Sequence, residues 1–113
     1  MKNTLGRRWN RYPANGQVKI LNERDQVKIM SFGRISLLSE GGLAFSSRQK
    51  LEIGEPIELE FELPVAKAAV KIAAVVRSNI GDSYGVEFLQ PGARQRQGLT
   101  FACNALAFHM EAA

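Results

Sequence analysis

Three arginines and a tryptophan stand within one short stretch of the chain, Arg7-Arg8-Trp9-Asn10-Arg11. A guanidinium presents a planar donor fork that fits phosphate oxygens and the O6/N7 edge of guanine, and it stacks flat on a base. Lysine would supply the charge without that planar match, so the residue type is informative. Further along, Leu37-Leu38-Ser39-Glu40-Gly41-Gly42-Leu43-Ala44-Phe45 sets a polar, glycine-bearing turn between two apolar, alternating stretches. A serine and two glycines in that setting point to backbone brought close to another strand or to a ligand.

Other constellations carry less. The single histidine, His109, and the single cysteine, Cys103, fall on the same predicted helix and form no nucleophile–base arrangement. One cysteine excludes an intramolecular disulfide and a thiolate zinc cluster, and its flanks Ala102 and Asn104 to Leu106 place it as a buried structural thiol. Glu58, Glu60 and Glu62 share one face of a strand, which reads as the solvated side rather than a metal site. No enzymatic chemistry, cofactor or metal is expected.

These groups need a scaffold, and the bulk numbers bound it. At 113 residues, 45% hydrophobic and 23% charged, the chain is expected to make one soluble domain. A formal charge of +4 favours an anionic partner without implying a nucleic-acid polymer. Met1-Lys2-Asn3-Thr4 opens no apolar signal segment, and no stretch approaches a membrane span, so a cytoplasmic location is the expectation.

Residues 1–6 read as a flexible polar start and 7–113 as one domain. Pro13 and Gly16 break any helix, so the arginine cluster lies on an extended segment. Gln17 to Leu21 alternates, Asn22 to Asp25 reads as a turn, and Val27 to Leu37 resumes the strand pattern with a bulge or bend at Gly33. Leu43 and Phe45 begin another strand. Pro56 to Leu63 alternates cleanly, Ala69 to Ile80 follows with Lys71 and Arg77 on one face, and Gly81-Asp82-Ser83 turns into a last strand from Tyr84 to Leu89. From Ala93 the period becomes helical. Leu99, Cys103, Leu106 and Met110 make one stripe, and Phe101, Ala105 and Phe108 make a second. The pattern predicts an all-β barrel of six to seven antiparallel strands over about 16–90, with a C-terminal helix over about 93–110.

Arg7-x-x-x-Arg11, then x-x-Ser39-x-x-Gly42 between strands, then Tyr84-Gly85-Val86-Glu87-Phe88 together resemble a PilZ domain over roughly residues 6–108. The resemblance implies a six-stranded barrel and, as in many bacterial members, a receptor for cyclic di-GMP. It implies ligand contacts from Arg7, Arg8, Arg11, Ser39, Gly41 and Gly42, with the serine offering its hydroxyl and the glycines letting backbone approach. An N-terminal arm that folds over the nucleotide would change the outer surface and signal to an effector protein, in motility, biofilm or exopolysaccharide control. One position departs. Leu37 stands where the family's Asp/Asn-x-Ser-x-x-Gly turn has its acid or amide, and leucine accepts no hydrogen bond. Loss of one charge-assisted bond of roughly 1.5–3 kcal/mol lowers affinity about 10- to 150-fold, which Arg8 or Arg77 could offset.

Two further readings stay open. Leu37 and the two-striped helix suit a PilZ-fold interaction module with weak or no nucleotide binding, as in type IV pilus assembly, and leave a homodimer through that helix as an expectation. An OB-type binder of single-stranded nucleic acid would need exposed aromatics in a charged groove, whereas Phe45, Phe61 and Phe88 fall in buried register.

Overall fold

The computed structural model describes residues 10–64 and 67–112, with side chains through Phe108. The strands are β1 (Tyr12–Pro13), β2 (Gln17–Arg24), β3 (Val27–Leu38), β4 (Gly42–Ser46), β5 (Pro56–Glu62), β6 (Ala69–Ile80) and β7 (Ser83–Phe88), followed by the helix α1 (Ala93–Ala112). Every pairing is antiparallel, in the order β3-β2-β5-β6-β7-β4, and β4 returns to β3 to close the ring. The result is the expected six-stranded barrel, with β1 as a seventh strand outside it on β3. The N-terminal segment 1–6, the arginines Arg7 and Arg8, Trp9, and the side chains of His109 and Met110 lie outside the described residues.

Alternation places the core. Val18 and Ile20 of β2, Ile57, Leu59 and Phe61 of β5, Val70, Ile72 and Ala74 of β6, and Tyr84, Val86 and Phe88 of β7 all point inward. Phe45 stacks on Tyr84 with ring centroids 5.7 Å apart, and Phe61 on Phe88 at 6.3 Å. Phe45, Phe61 and Phe88, the aromatics read as falling in buried register, are therefore packed inside. Leu99, Ala102 and Cys103 of α1 cover the barrel, with Leu106 partly buried against it. Cys103 is the structural thiol its flanks suggested: burial, with a smaller contribution from the Glu40 carboxylate, pushes it up to about 12. Phe101 of the second stripe faces outward.

Two local expectations shift. The turn predicted at Asn22–Asp25 forms instead at Asp25-Gln26, both with positive φ (51° and 65°), the left-handed pair of a tight two-residue hairpin. Asn22 and Arg24 are held in β2 because Glu55 recruits their side chains. Asn22 Nδ2 donates to Glu55 Oε2 at 3.0 Å and Arg24 Nη2 to Glu55 Oε1 at 3.2 Å. Turn-forming residues thus yield to a tertiary contact. Likewise, the bulge of β3 lies between Ile35 and Leu37 rather than at Gly33. Gly33 serves the seam where β4 ends: a Cβ there would stand 2.5 Å from the Ser46 carbonyl oxygen.

Gly42 is the tighter point of closure. Its missing Cβ would lie against the Val86 carbonyl of β7, far inside van der Waals contact and against backbone that cannot step aside. We expect Gly42→Ala to reach or exceed the roughly 1–3 kcal/mol usual for overpacking, read as a lowered denaturation midpoint. The Glu55 cluster adds a pH dependence. Burial pushes the Glu55 carboxyl up, but the Glu52 N–H (2.9 Å), Arg24 and Asn22 outweigh it and hold the group below its ordinary 4.5. A depressed folded value stabilises the protein above the ordinary value, and that stabilisation is lost as pH falls through the folded value. Glu55→Gln should therefore be less stable than the parent at neutral pH, with the difference shrinking on acidification below pH 4.5.

Candidate functional site

The short strand β1 brings the two candidate motifs together. Tyr12 pairs with Leu38 and Pro13 with Leu37, and Ala14 N–H donates to the Ser36 carbonyl at 3.0 Å. A proline is tolerated there because β1 lies outside the ring and need not donate. Arg11 precedes this pairing directly and Ser39 follows its partner strand directly. The end of the arginine arm is thus fixed beside the serine–glycine turn.

The turn itself is self-sufficient. Ser39 N–H donates to the Gly42 carbonyl at 2.9 Å. The Ser39 hydroxyl accepts from Gly41 N–H at 3.2 Å and Gly42 N–H at 3.0 Å, and donates to the Gly42 carbonyl at 3.2 Å. One donor and two acceptor positions exhaust a hydroxyl. Ser39 is buried, so its contribution is to fix the turn's shape, in place of the free hydroxyl expected from the sequence. Gly42 likewise answers to β7 rather than to a ligand. Gly41 gives its carbonyl to Phe88 N–H at 2.8 Å, tying the turn to the end of β7.

Around the turn lies a cavity of about 660 Å³. Arg11 and Leu37 stand at one side, Gly42, Ala44 and Gly85 offer almost side-chain-free sheet surface, and Arg77 and Glu87 stand opposite. A bulge between Val76 and Ser78 turns Arg77 outward, where its Nε meets Glu87 Oε1 at 2.7 Å. Both side chains are more than half exposed, so this pair is weak and open to exchange of partners. The start of α1 forms the end wall. Arg96 Nε donates to the Pro91 carbonyl at 3.0 Å, and Thr100 Oγ1 to Glu40 Oε1 at 2.8 Å, which ties the turn to the helix. Three guanidiniums and two carboxylates therefore surround a largely open floor, an arrangement able to take an anion with a flat aromatic part.

Of the residues expected to bind, Arg11, Ser39, Gly41 and Gly42 converge on this cavity, while Arg7 and Arg8 lie outside the described residues. Leu37 also lines it, half-buried, presenting an apolar surface where an acceptor was to be sought. Glu40, Glu87, Arg96 and Thr100 escaped sequence reasoning. Glu87 was not legible as a site residue, since it stands opposite Gly42 only because β7 returns beside β4. Arg96 and Thr100 carried no signal, because the direction in which a helix crosses a barrel is not written in its period. Among the described residues no cluster of three His, Cys, Asp or Glu could hold a metal, and no helix is long and apolar enough to cross a membrane.

Known proteins share this architecture. The PilZ domain family model matches residues 6–104. The PilZ domain of CeSA from a cellulose-synthesizing bacterium superposes with a TM-score of 0.63 at 21% identity, covering 90% of this chain and 98% of that one. The PilZ domain of YcgR from Escherichia coli, solved with c-di-GMP, gives 0.73 at 15% identity and 95% coverage of both. The Bacillus subtilis inhibitor of motility MotI/DgrA gives 0.65 at 22% identity, over 93% of this chain and 53% of that one. No curated protein sequence matches the chain. With the family model spanning most of its length and the barrel, turn and helix in place, the chain belongs to the PilZ domain family.

Proposed function

We propose that this protein is a cyclic di-GMP-binding PilZ adaptor, which changes its surface on binding and signals to a protein partner in motility, biofilm or exopolysaccharide control. The observation that carries the reading is the convergence of Arg11 with the Ser39–Gly42 turn on one cavity. The presence of c-di-GMP in the YcgR domain of the same fold supports it.

Each part has a physical role in that reading. The dinucleotide carries two phosphates and two guanines. Arg11, with Arg7 and Arg8 on the arm, neutralises phosphate and reads a guanine edge with the same planar group. The turn, already closed by its own hydrogen bonds, needs no ordering when the ligand arrives. The low surface at Gly42, Ala44 and Gly85 lets a flat base lie against the sheet. Leu37 withholds one acceptor, and the exposed Arg77–Glu87 pair supplies both a donor and an acceptor at the opposite wall. The output is a change of surface, with no bond made or broken. The Glu40–Thr100 bond offers a route by which an occupied turn would be felt at α1.

Isothermal titration tests the reading. We expect heat at cyclic di-GMP concentrations up to about 100 µM, corresponding to about −5.5 kcal/mol; a flat titration there would sink it. Arg11→Ala should remove most of the signal. Leu37→Asp restores the missing acceptor and should tighten binding by about 10- to 150-fold. An unchanged affinity would show that position 37 does not face the ligand.

Leu37 also favours a second reading, a PilZ-fold interaction module that works without nucleotide. It requires that a partner be captured equally well with and without cyclic di-GMP.

A further inference from the structure

Among the described residues, one stretch of β3 lies at an open edge of the barrel. Its C-terminal part is flanked on both sides, by β4 from Arg34 onward and by β1 at Leu37 and Leu38. From Val27 to Gly33 it pairs, among the described residues, with β2 alone. The hairpin fixes which groups are left over. Asp25-Gln26 is a two-residue turn flanked by the pair Arg24–Val27, and Ile35 N–H donates across to Gly16 at 2.8 Å. In an antiparallel ladder, odd-numbered residues of β3 therefore face β2, and the N–H and C=O groups of Lys28, Met30 and Phe32 point to the open edge.

That edge is only lightly protected, by the charge of Lys28. It contains no proline, and Val27, Met30 and Phe32 are each at least half exposed. At its inner end lies a groove of about 600 Å³ lined by Ser31, Phe32, Arg34, Ser47, Arg48 and Asp82. Ser31 Oγ is buried there without a hydrogen-bond partner.

We propose that this edge is the interface of a homodimer in which two β3 strands pair antiparallel about a twofold axis at Met30. The register follows from charge. With Met30 opposite Met30, each Lys28 faces Phe32 of the partner subunit, so cation meets aromatic and no like charges oppose. A slip of one residue pair in one direction sets Lys28 opposite Arg34; one pair in the other sets it opposite Met30 and gives up the cation–aromatic contact, and two pairs set lysine opposite lysine. The same register carries each hairpin tip past Arg34 to the point where β4 occupies the edge, so Asp25 arrives at the groove of Arg34 and Arg48. Within its own hairpin Glu23 is paired across the strands with Lys28, which leaves Asp25 as the uncompensated charge of the tip. Two arginines against one aspartate make the groove net positive. Edge, register and groove are thus self-complementary, and pairing two edges saturates both without starting an open polymer.

This interface differs from one through α1, and cysteine placement separates them. The chain's own Cys103 is buried, so an introduced thiol reports alone. Under mild oxidation, Met30→Cys should form a covalent dimer across the axis, whereas Lys28→Cys, which faces a different residue, should not. Sedimentation of the unmodified protein should show a concentration-dependent dimer, which Arg48→Glu weakens and Met30→Lys with Phe32→Lys abolishes. A monomer at concentrations up to about 1 mM overturns the proposal. So does a dimer that cross-links through Phe101→Cys on α1 and not through Met30→Cys.

Discussion

The carbonyl of Val86 lies where a side chain on residue 42 would have to be. The missing side chain permits the close approach at which the ladder joins β4 to β7, and β4 is the strand that joins both ends of the sheet into a ring. The Ser39–Gly42 turn enters β4 at this point, so its hydrogen bonds and the closure of the barrel are one structure. Consequently the cavity is fixed where it is built from the barrel and from β1 paired on β3, and adjustable at the exposed Arg77–Glu87 pair.

This changes what the serine and glycines mean. Read along the chain, they look like groups kept free for a ligand. In the fold, the Ser39 hydroxyl is spent on the backbone of Gly41 and Gly42, and the space a Gly42 side chain would need is taken by the Val86 carbonyl of β7. They shape the cavity; among the described residues, Arg11, Leu37, Arg77, Glu87 and Arg96 line it with side chains, beside Glu40 and Thr100. In the proposed reading, recognition rests on guanidiniums set around a fixed floor, and Leu37 is the position at which this chain departs from the turn of the family it resembles.

The sequence made the barrel legible because most of its strands bury one face only. Ile57, Leu59, Phe61 and the alternating glutamates define β5 without any tertiary information, and the switch to helical spacing at Ala93 marks the start of α1. The failures share a cause. Asn22 and Arg24 look like turn residues until Glu55, a neighbour only in space, claims them. Gly33 looks like a bulge until Ser46 is seen above it. Part of the candidate cavity's lining was visible as Arg11, Ser39, Gly41 and Gly42, since their types and order carry the signal. Another part, Glu40 bound to Thr100 and Arg96 at the end wall, depends on how the helix crosses the barrel, which no local pattern encodes.

The central claim is that the arginine arm and the serine–glycine turn form one nucleotide site. Titration of isotopically labelled protein with cyclic di-GMP, followed by amide and arginine Nε–H resonances, tests it most directly. The account predicts that Arg11, Gly41, Gly42 and Glu87 shift together with one saturation curve, and that Thr100 follows them through Glu40. Unmoved resonances at Arg11 and Gly42 in the presence of saturating nucleotide, or shifts confined to another face of the barrel, would contradict it.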